Sequence, residues 1–346
     1  MLVVWGALGV LLGIVTRGTS LAIGVGILYA LVIEGLLSAL RTASACSSPR
    51  PTSSCARTAI RWQYRSARPW TRLDQIGPAF AALAAAPAAS PRRRLTSSQM
   101  RVAALYDIHG NLPALEAVLA AVEDEGLDRI VIGGDVVPGP LPVQTIERLR
   151  ELGERAVFVR GNGDRWVVEA FDTLGSAEVD APRRPWAEWT AEVIDRRDRD
   201  LLASFPARAS LDIDELGLVL FCHASPRDDE EILTTLAPEP RWRSALEGVD
   251  ESLIVCGHTH TQFDRRVERW HVINAGSVGM PYEGRAAAYW LLLGPGIELR
   301  QTPYDVGRAL AAMRAGGNPG TDALLRDSLV APVDPRTIAE LLERQA

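Results

Sequence analysis

The residues able to do chemistry in this chain stand in five short clusters, each at the end of an apolar run. Asp107 and His109 lie in "YDIHGN", Asp135 in "GGD", Asn162 and Asp164 in "GNGD", His223 in "FCHASP", and His258 with His260 in "GHTH". The chain holds five histidines, and four of them are in these clusters. Neutral imidazoles, carboxylates and one amide oxygen are ligand chemistry for borderline divalent metals such as Mn, Fe, Zn, Co or Ni, and a set free of thiolates argues against a structural zinc knot. Seven candidate ligands, Asp107, His109, Asp135, Asn162, His223, His258 and His260, are too many for one tetrahedral ion. They suit two ions a few Å apart sharing a carboxylate, an arrangement that grips the attacking and leaving oxygens of a phosphoryl displacement.

Elements must bring these clusters together. "MRVAALYDIHGN" reads as a strand and polar loop, "LPALEAVLAAVEDEG" as an amphipathic helix capped by Asn111, and "RIVIGGD" as a second buried strand, a β-α-β opening. A helix "VQTIERLRELG", a strand "AVFVRGNGD" and a helix beginning near Arg165 continue the alternation. Residues 175–209 read as a Trp-bearing helical insertion. Strands return in "GLVLFCHASP", "SLIVCGHTH" and "RRVERWHVINAGSVG", then in "RAAAYWLLL" and "GIELRQTPYD" around a Gly-Pro-Gly turn, and residues 306–346 read as a helical extension. In layered α/β folds the carboxyl ends of strands form the ligand crevice, so residues far apart in sequence converge there. Side chains two apart on an extended segment share a face, so Asp107 with His109, and His258 with His260, should each aim at one site. Gly110, Gly133, Gly134, Gly161 and Gly257 fit tight turns beside them. His271, inside a strand, reads as a hydrogen-bonded structural residue, and Asp164 as a carboxylate that caps a loop or supports a ligand.

At 346 residues and 47% hydrophobic content the chain has ample core for one catalytic-sized domain plus extras. Its net charge of −6 hides a division: residues 1–99 hold 11 Arg against Glu34 and Asp74, whereas residues 100–346 hold 26 Arg against 41 acids. The acidic main part argues against a nucleic-acid partner. Residues 1–40 are almost wholly apolar, and Thr19 to Leu40 is long enough to span a bilayer. Residues 41–99, rich in Arg, Ser, Pro and Ala, have no apolar periodicity and read as a disordered linker. Two readings of the front stay open, a membrane anchor or a fused or misassigned stretch upstream of Met100. The catalytic part is expected in the cytoplasm, held to a membrane if residues 1–40 persist in the mature protein. Cys46, Cys55, Cys222 and Cys256 form no CxxC pair, and the latter two sit in strand-like runs as buried reduced thiols.

Together "DIHGN", "GGD", the broken "GNGD", "HASP" and "GHTH" resemble the five blocks of the calcineurin-like metallophosphoesterases. "INAGSVGMP" is similar to a loop of their small bacterial phosphodiesterase branch. The resemblance covers residues 100–305 and implies a four-layer α/β/β/α sandwich. It implies that Asp107, His109 and His260 hold one metal ion and Asn162, His223 and His258 another, with Asp135 bridging and a metal-bridging hydroxide as nucleophile. The expected cofactors are two divalent ions, Mn foremost, and the expected partner is a small phosphoester. The chain departs from the family at Gly163, where many members carry a histidine. That points to a phosphodiesterase acting on small diesters such as cyclic nucleotides, ahead of a phosphomonoesterase or protein phosphatase of the same fold. A non-catalytic binding scaffold should lack ligands, and here all seven positions are filled.

Overall fold

Short runs of branched and small apolar residues, each closed by Gly or Asp, set the strands. In the computed structural model these pair into two five-stranded sheets. The structure describes residues 100–174, 184–318 and 320–346. The apolar segment 1–40, the linker 41–99 and residues 175–183 of the expected insertion lie outside the described residues.

The first sheet is built on β1 (Val102–Leu105), β2 (Arg129–Ile132) and β3 (Ala156–Phe158), which are parallel. They are joined through α1 (Leu112–Glu125) and α2 (Pro142–Arg150). The hairpin β9 (Ala288–Leu293) and β10 (Ile297–Thr302) extends it antiparallel beside β1. The second sheet runs β4 (Arg208–Ile213), β5 (Gly217–Cys222), β6 (Leu253–Cys256), β8 (Trp270–Asn274) and β7 (Phe263–Val267). Its middle three strands are parallel and its two edges antiparallel.

Strand alternation then assigns the layers. Ala103 and Leu105 of β1 pack with α1, α2 and α3 (Asn162–Asp172), whereas Val102 and Ala104 meet Val219 and Phe221 of β5 and Val255 of β6 between the sheets. The far face of the second sheet, through Leu220, Ile254 and Val272, packs against Trp242 and Leu246 of α6 (Glu239–Leu246). The layers are therefore α/β/β/α, with Cys222 and Cys256 free and buried.

Three details differ from the sequence reading. "RRVERWHVINAG" is the β7–β8 hairpin rather than one strand, because Glu268 turns the chain at φ 51°. β4 begins at Arg208, inside the last residues assigned to the insertion; α4 (Pro185–Val193) and α5 (Arg196–Ala203) occupy its described remainder. The third helix starts at Asn162, where Asp164 accepts the Gly161 N–H at 3.0 Å. Beyond β10 come helices Val306–Ala315, Thr321–Leu324 and Pro335–Leu342. Among the described residues no helix is long and apolar enough to cross a membrane.

Candidate metal centre

The seven candidate ligands lie just past the carboxyl ends of β1, β2, β3, β5 and β6, not on the strands themselves. Five of them, Asp107, His109, Asp135, His258 and His260, have φ between 47° and 65°. Left-handed backbone is unfavourable for residues with a Cβ and persists where surroundings over-determine it. Here the β1–β2 ladder continues past the strands, with the Asp107 N–H on the Gly134 carbonyl (3.1 Å) and the His109 N–H on the Asp135 carbonyl (2.9 Å). The side chains expected to share an extended face are therefore aimed by turns instead. His260 joins Asp107 and His109, while His258 stands beside His223 with ring centroids 5.2 Å apart.

Two groups of ligand atoms converge, Asp107 with His109 and His260, and Asp107 with Asp135 and His223. Backbone carbonyls set the tautomers, since a carbonyl only accepts. The Nδ1–H groups of His109, His223 and His260 donate to the carbonyls of Pro138 (3.2 Å), Gly133 (3.0 Å) and Met280 (2.7 Å). Their Nε2 lone pairs are left facing inward. The His109 and His260 Nε2 atoms then stand 3.2 Å apart, and the His223 Nε2 lies 3.0 Å from the Asn162 Oδ1, acceptor against acceptor. The Asp107 Oδ1 is buried without a hydrogen-bond partner, 3.3, 3.8 and 3.9 Å from the Nε2 atoms of His260, His223 and His109. A buried donorless pocket of this kind is unstable unless a cation occupies it, so the residues fit divalent metal.

The resemblance names Asp135 as the bridge, while the carboxylate common to both convergent groups is Asp107. Asp135 nevertheless reaches both, its Oδ2 standing 3.5 Å from the His109 Nε2 and its Oδ1 3.5 Å from the His223 Nε2. His258 is tethered differently, its Nε2–H donating to the Glu230 carbonyl at 3.2 Å, and belongs to neither convergent group. Burial, then His223, push its imidazole down to about 4, so it stays neutral. Burial raises the Asp107 carboxyl, whereas positive charge on His260, His223 and His109, when they are protonated, lowers it below the carboxylate range.

The surrounding residues explain this rigidity. Tyr106, fully buried, donates to the Val255 carbonyl at 3.0 Å and ties the first sheet to the second. Gly133 and Gly257 lie against its ring, and a Cβ on Gly257 would stand 2.5 Å from the Asp107 Oδ2. The Ser277 hydroxyl donates to the Asp107 carbonyl (2.8 Å) and accepts the Met280 N–H (2.7 Å), which also fixes the carbonyl that orients His260. Asn274 holds the Gly257 carbonyl at 2.6 Å. Asp164 accepts the N–H groups of Asp135, Gly161 and Val137 and holds the loops after β2 and β3 together. Burial and the Asp135 charge push its carboxyl up to about 7. His271 is away from the cluster, bonded to Asp264 at 2.7 Å. Sequence reasoning missed Tyr106, the Glu230 carbonyl and Arg160. Arg160 stands directly before "GNGD", a position that was the one available signal.

At Gly163 a Cβ would meet the Val137 carbonyl at 2.5 Å and the Pro138 Cδ at 2.8 Å. Its N–H donates to the Asp135 Oδ1 at 2.7 Å. The glycine is thus a packing demand of this loop as well as the absence of an imidazole.

The chain is similar to known proteins. The calcineurin-like phosphoesterase superfamily domain matches residues 100–293. Phosphodiesterase YfcE of Escherichia coli is 28% identical over 205 residues, 56% of this chain and 87% of its own. An uncharacterized protein of Methanocaldococcus jannaschii is 29% identical over 235 residues, 60% of this chain and 89% of its own. Among solved structures, a metallophosphoesterase from Sphaerobacter thermophilus superposes with TM-score 0.54 at 27% identity, covering 68% of this chain and all of that one.

Proposed function

Since the chain belongs to the calcineurin-like phosphoesterase superfamily, whose members are metal-dependent phosphoric ester hydrolases, we propose that it is a phosphodiesterase acting on small diesters such as cyclic nucleotides. The observation that carries the reading is the unpartnered Asp107 Oδ1 facing three imidazole nitrogens. In this reading Asp107, His109 and His260 hold one ion and Asn162, His223 and His258 the second, with Asp135 between them; Mn is the first choice of metal. Two bound divalent ions supply positive charge to the phosphoryl oxygens and lower the pKa of water.

The chain's own residues do the rest. The carbonyls of Pro138, Gly133 and Met280 hold the proton of each neutral imidazole on Nδ1, so that Nε2 is the atom offered to metal, and Asp164 fixes the loop that carries Asp135. Position 163 offers no imidazole to a departing alkoxide, and the crowding there leaves no space for one. Loss of general-acid help costs about 10²- to 10⁴-fold for poor leaving groups, which favours activated or cyclic diesters over phosphoserine-type monoesters. The same crowding makes Gly163→His a poor test, since the substitution displaces Asp135. A direct test compares an aryl diester, a 2′,3′-cyclic nucleotide and a phosphopeptide on protein loaded with Mn, Fe, Zn, Co or Ni, alongside elemental analysis. Preference for the phosphopeptide, or protein that retains no divalent metal, overturns the reading. Catalysis is assigned to residues 100–305, and expression of residues 100–346 alone checks that boundary.

A further inference from the structure

Beside His223 the surface sinks into a cavity of about 380 Å³ whose lining includes Arg160, Arg165, Ser225, Asp229 and Glu230. Most of its charges are already engaged. Arg165 clamps Asp229 through both carboxylate oxygens, at 3.0 and 2.8 Å, and reaches Glu230 at 2.5 Å. Glu230 also accepts the Trp166 indole N–H at 2.9 Å.

Arg160 is the exception. Its guanidinium makes no hydrogen bond among the described residues, and its Nε is buried without a partner. Among the described residues its one carboxylate within 4 Å is Asp229, at 3.8 Å from the Nε, a loose ion pair beside the two close hydrogen bonds that Asp229 takes from Arg165. The backbone holds the residue in place, its N–H donating to the Pro206 carbonyl at 2.8 Å. An arginine is always charged, and its planar fork of donors matches phosphate bidentately. The side chain is 35% exposed, so its fork is open to a ligand entering the cavity, where an oxyanion would gain charge-assisted hydrogen bonds. The cavity is within the ~300–1,000 Å³ that holds small ligands, and it adjoins His223, a proposed metal ligand.

We propose that Arg160 binds a second phosphate of the substrate, with the scissile ester at the metal centre and the linking group in the cavity. The inference rests on the phosphodiesterase reading and narrows it: the preferred substrate is a small diester that carries a further phosphate, as in a nucleoside bisphosphate ester.

Binding tests this independently of turnover. Thymidine 3′,5′-bisphosphate and thymidine 5′-monophosphate are titrated calorimetrically into full-length metal-loaded protein, wild type, Arg160→Gln and Arg160→Lys. The wild type should favour the bisphosphate by about 10-fold or more, Arg160→Gln should erase that preference while shifting the monophosphate less than about 2-fold, and Arg160→Lys should keep part of it. Equal binding of the two ligands by the wild type, or an equal loss for both in Arg160→Gln, overturns the assignment. So does a thymidine 5′-phosphate 3′-hemisuccinate that binds as tightly as the bisphosphate, since the site would then take any oxyanion. Failure of the hydrolase reading registers elsewhere, as absent aryl-diester turnover with the bisphosphate preference intact.

Discussion

The two halves of the metal centre are built differently. Around Asp107, His109 and His260 every side chain is braced by backbone: the loop after β8 holds the Asp107 carbonyl through Ser277, Met280 orients His260, and the Tyr282 ring stacks on His260 with centroids 5.2 Å apart. Around Asn162, His223 and His258 one wall is missing. His223 borders the cavity of Arg160, and His258 hangs from the carbonyl of Glu230, a residue whose side chain is 41% exposed. The closed half is fixed by the fold, whereas the open half answers to whatever enters the cavity. On the proposed function, the first half would serve the metal and the second the choice of substrate.

The largest effect should come from the residue that faces both halves. Asp135→Asn keeps an oxygen for the Gly163 N–H but removes the charge that offsets two cations. Metal content should fall in both halves and aryl-diester turnover by at least about 10²-fold, beyond the 10- to 100-fold typical of losing an outer partner of a ligand. Elemental analysis and a rate assay check this together, and a variant with full metal and full rate would place the centre elsewhere.

Next comes a substitution that presses on Asp107 of the closed half. Gly257→Ala puts a methyl 2.5 Å from both the Asp107 Oδ2 and the Tyr106 ring. Neither can yield, because Tyr106 is fully buried and Asp107 accepts the His258 N–H at 2.9 Å. Overpacking of this kind costs about 1–3 kcal/mol, and turnover should fall about 10- to 100-fold. Thermal melting separates the stability loss from the kinetic one. An unchanged melting point with wild-type turnover would mean that the closed half is softer than its contacts imply.

Ser277→Ala is milder, since it deletes one hydroxyl that joins the Asp107 carbonyl to the Met280 N–H. About 1 kcal/mol of stability and about 10-fold in turnover should be lost. The loss should be the same for substrates with and without a second phosphate, because the closed half does not touch the cavity. Unequal losses would break the distinction between the halves.

The parts legible in the sequence and the parts that were not divide along the same line. Buried parallel strands announce themselves as apolar runs, and their carboxyl ends carry Asp107, Asp135, Asn162, His223, His258 and His260 whatever the loops do. The aim of those side chains was misjudged, because left-handed turns at Asp107, His109, His258 and His260 leave no mark in residue type. Arg160 was passed over for a similar reason. Nothing in an isolated arginine says that Arg165, five positions later, will claim the nearby acid. β4 was masked by its charged, half-exposed alternation at a sheet edge, and the β7–β8 turn by the absence of Gly or Pro at Glu268.

The smallest effect should come from His271→Gln, and it tests the comparison by lying outside both halves. His271 sits on β8 across from Arg266, and its Nε2 pairs with Asp264, whose side chain is 55% exposed. Pairs open to solvent on one side contribute about 0–1 kcal/mol, and glutamine retains a side-chain donor within reach of the carboxylate. Melting point, metal content and turnover should all stay near wild type. Imidazole is the same ligand chemistry in every position, so the contrast with Asp135→Asn isolates place from type. Were His271→Gln to strip metal or rate as Asp135→Asn does, position beyond the parallel strand ends would not be what makes a histidine of this chain functional.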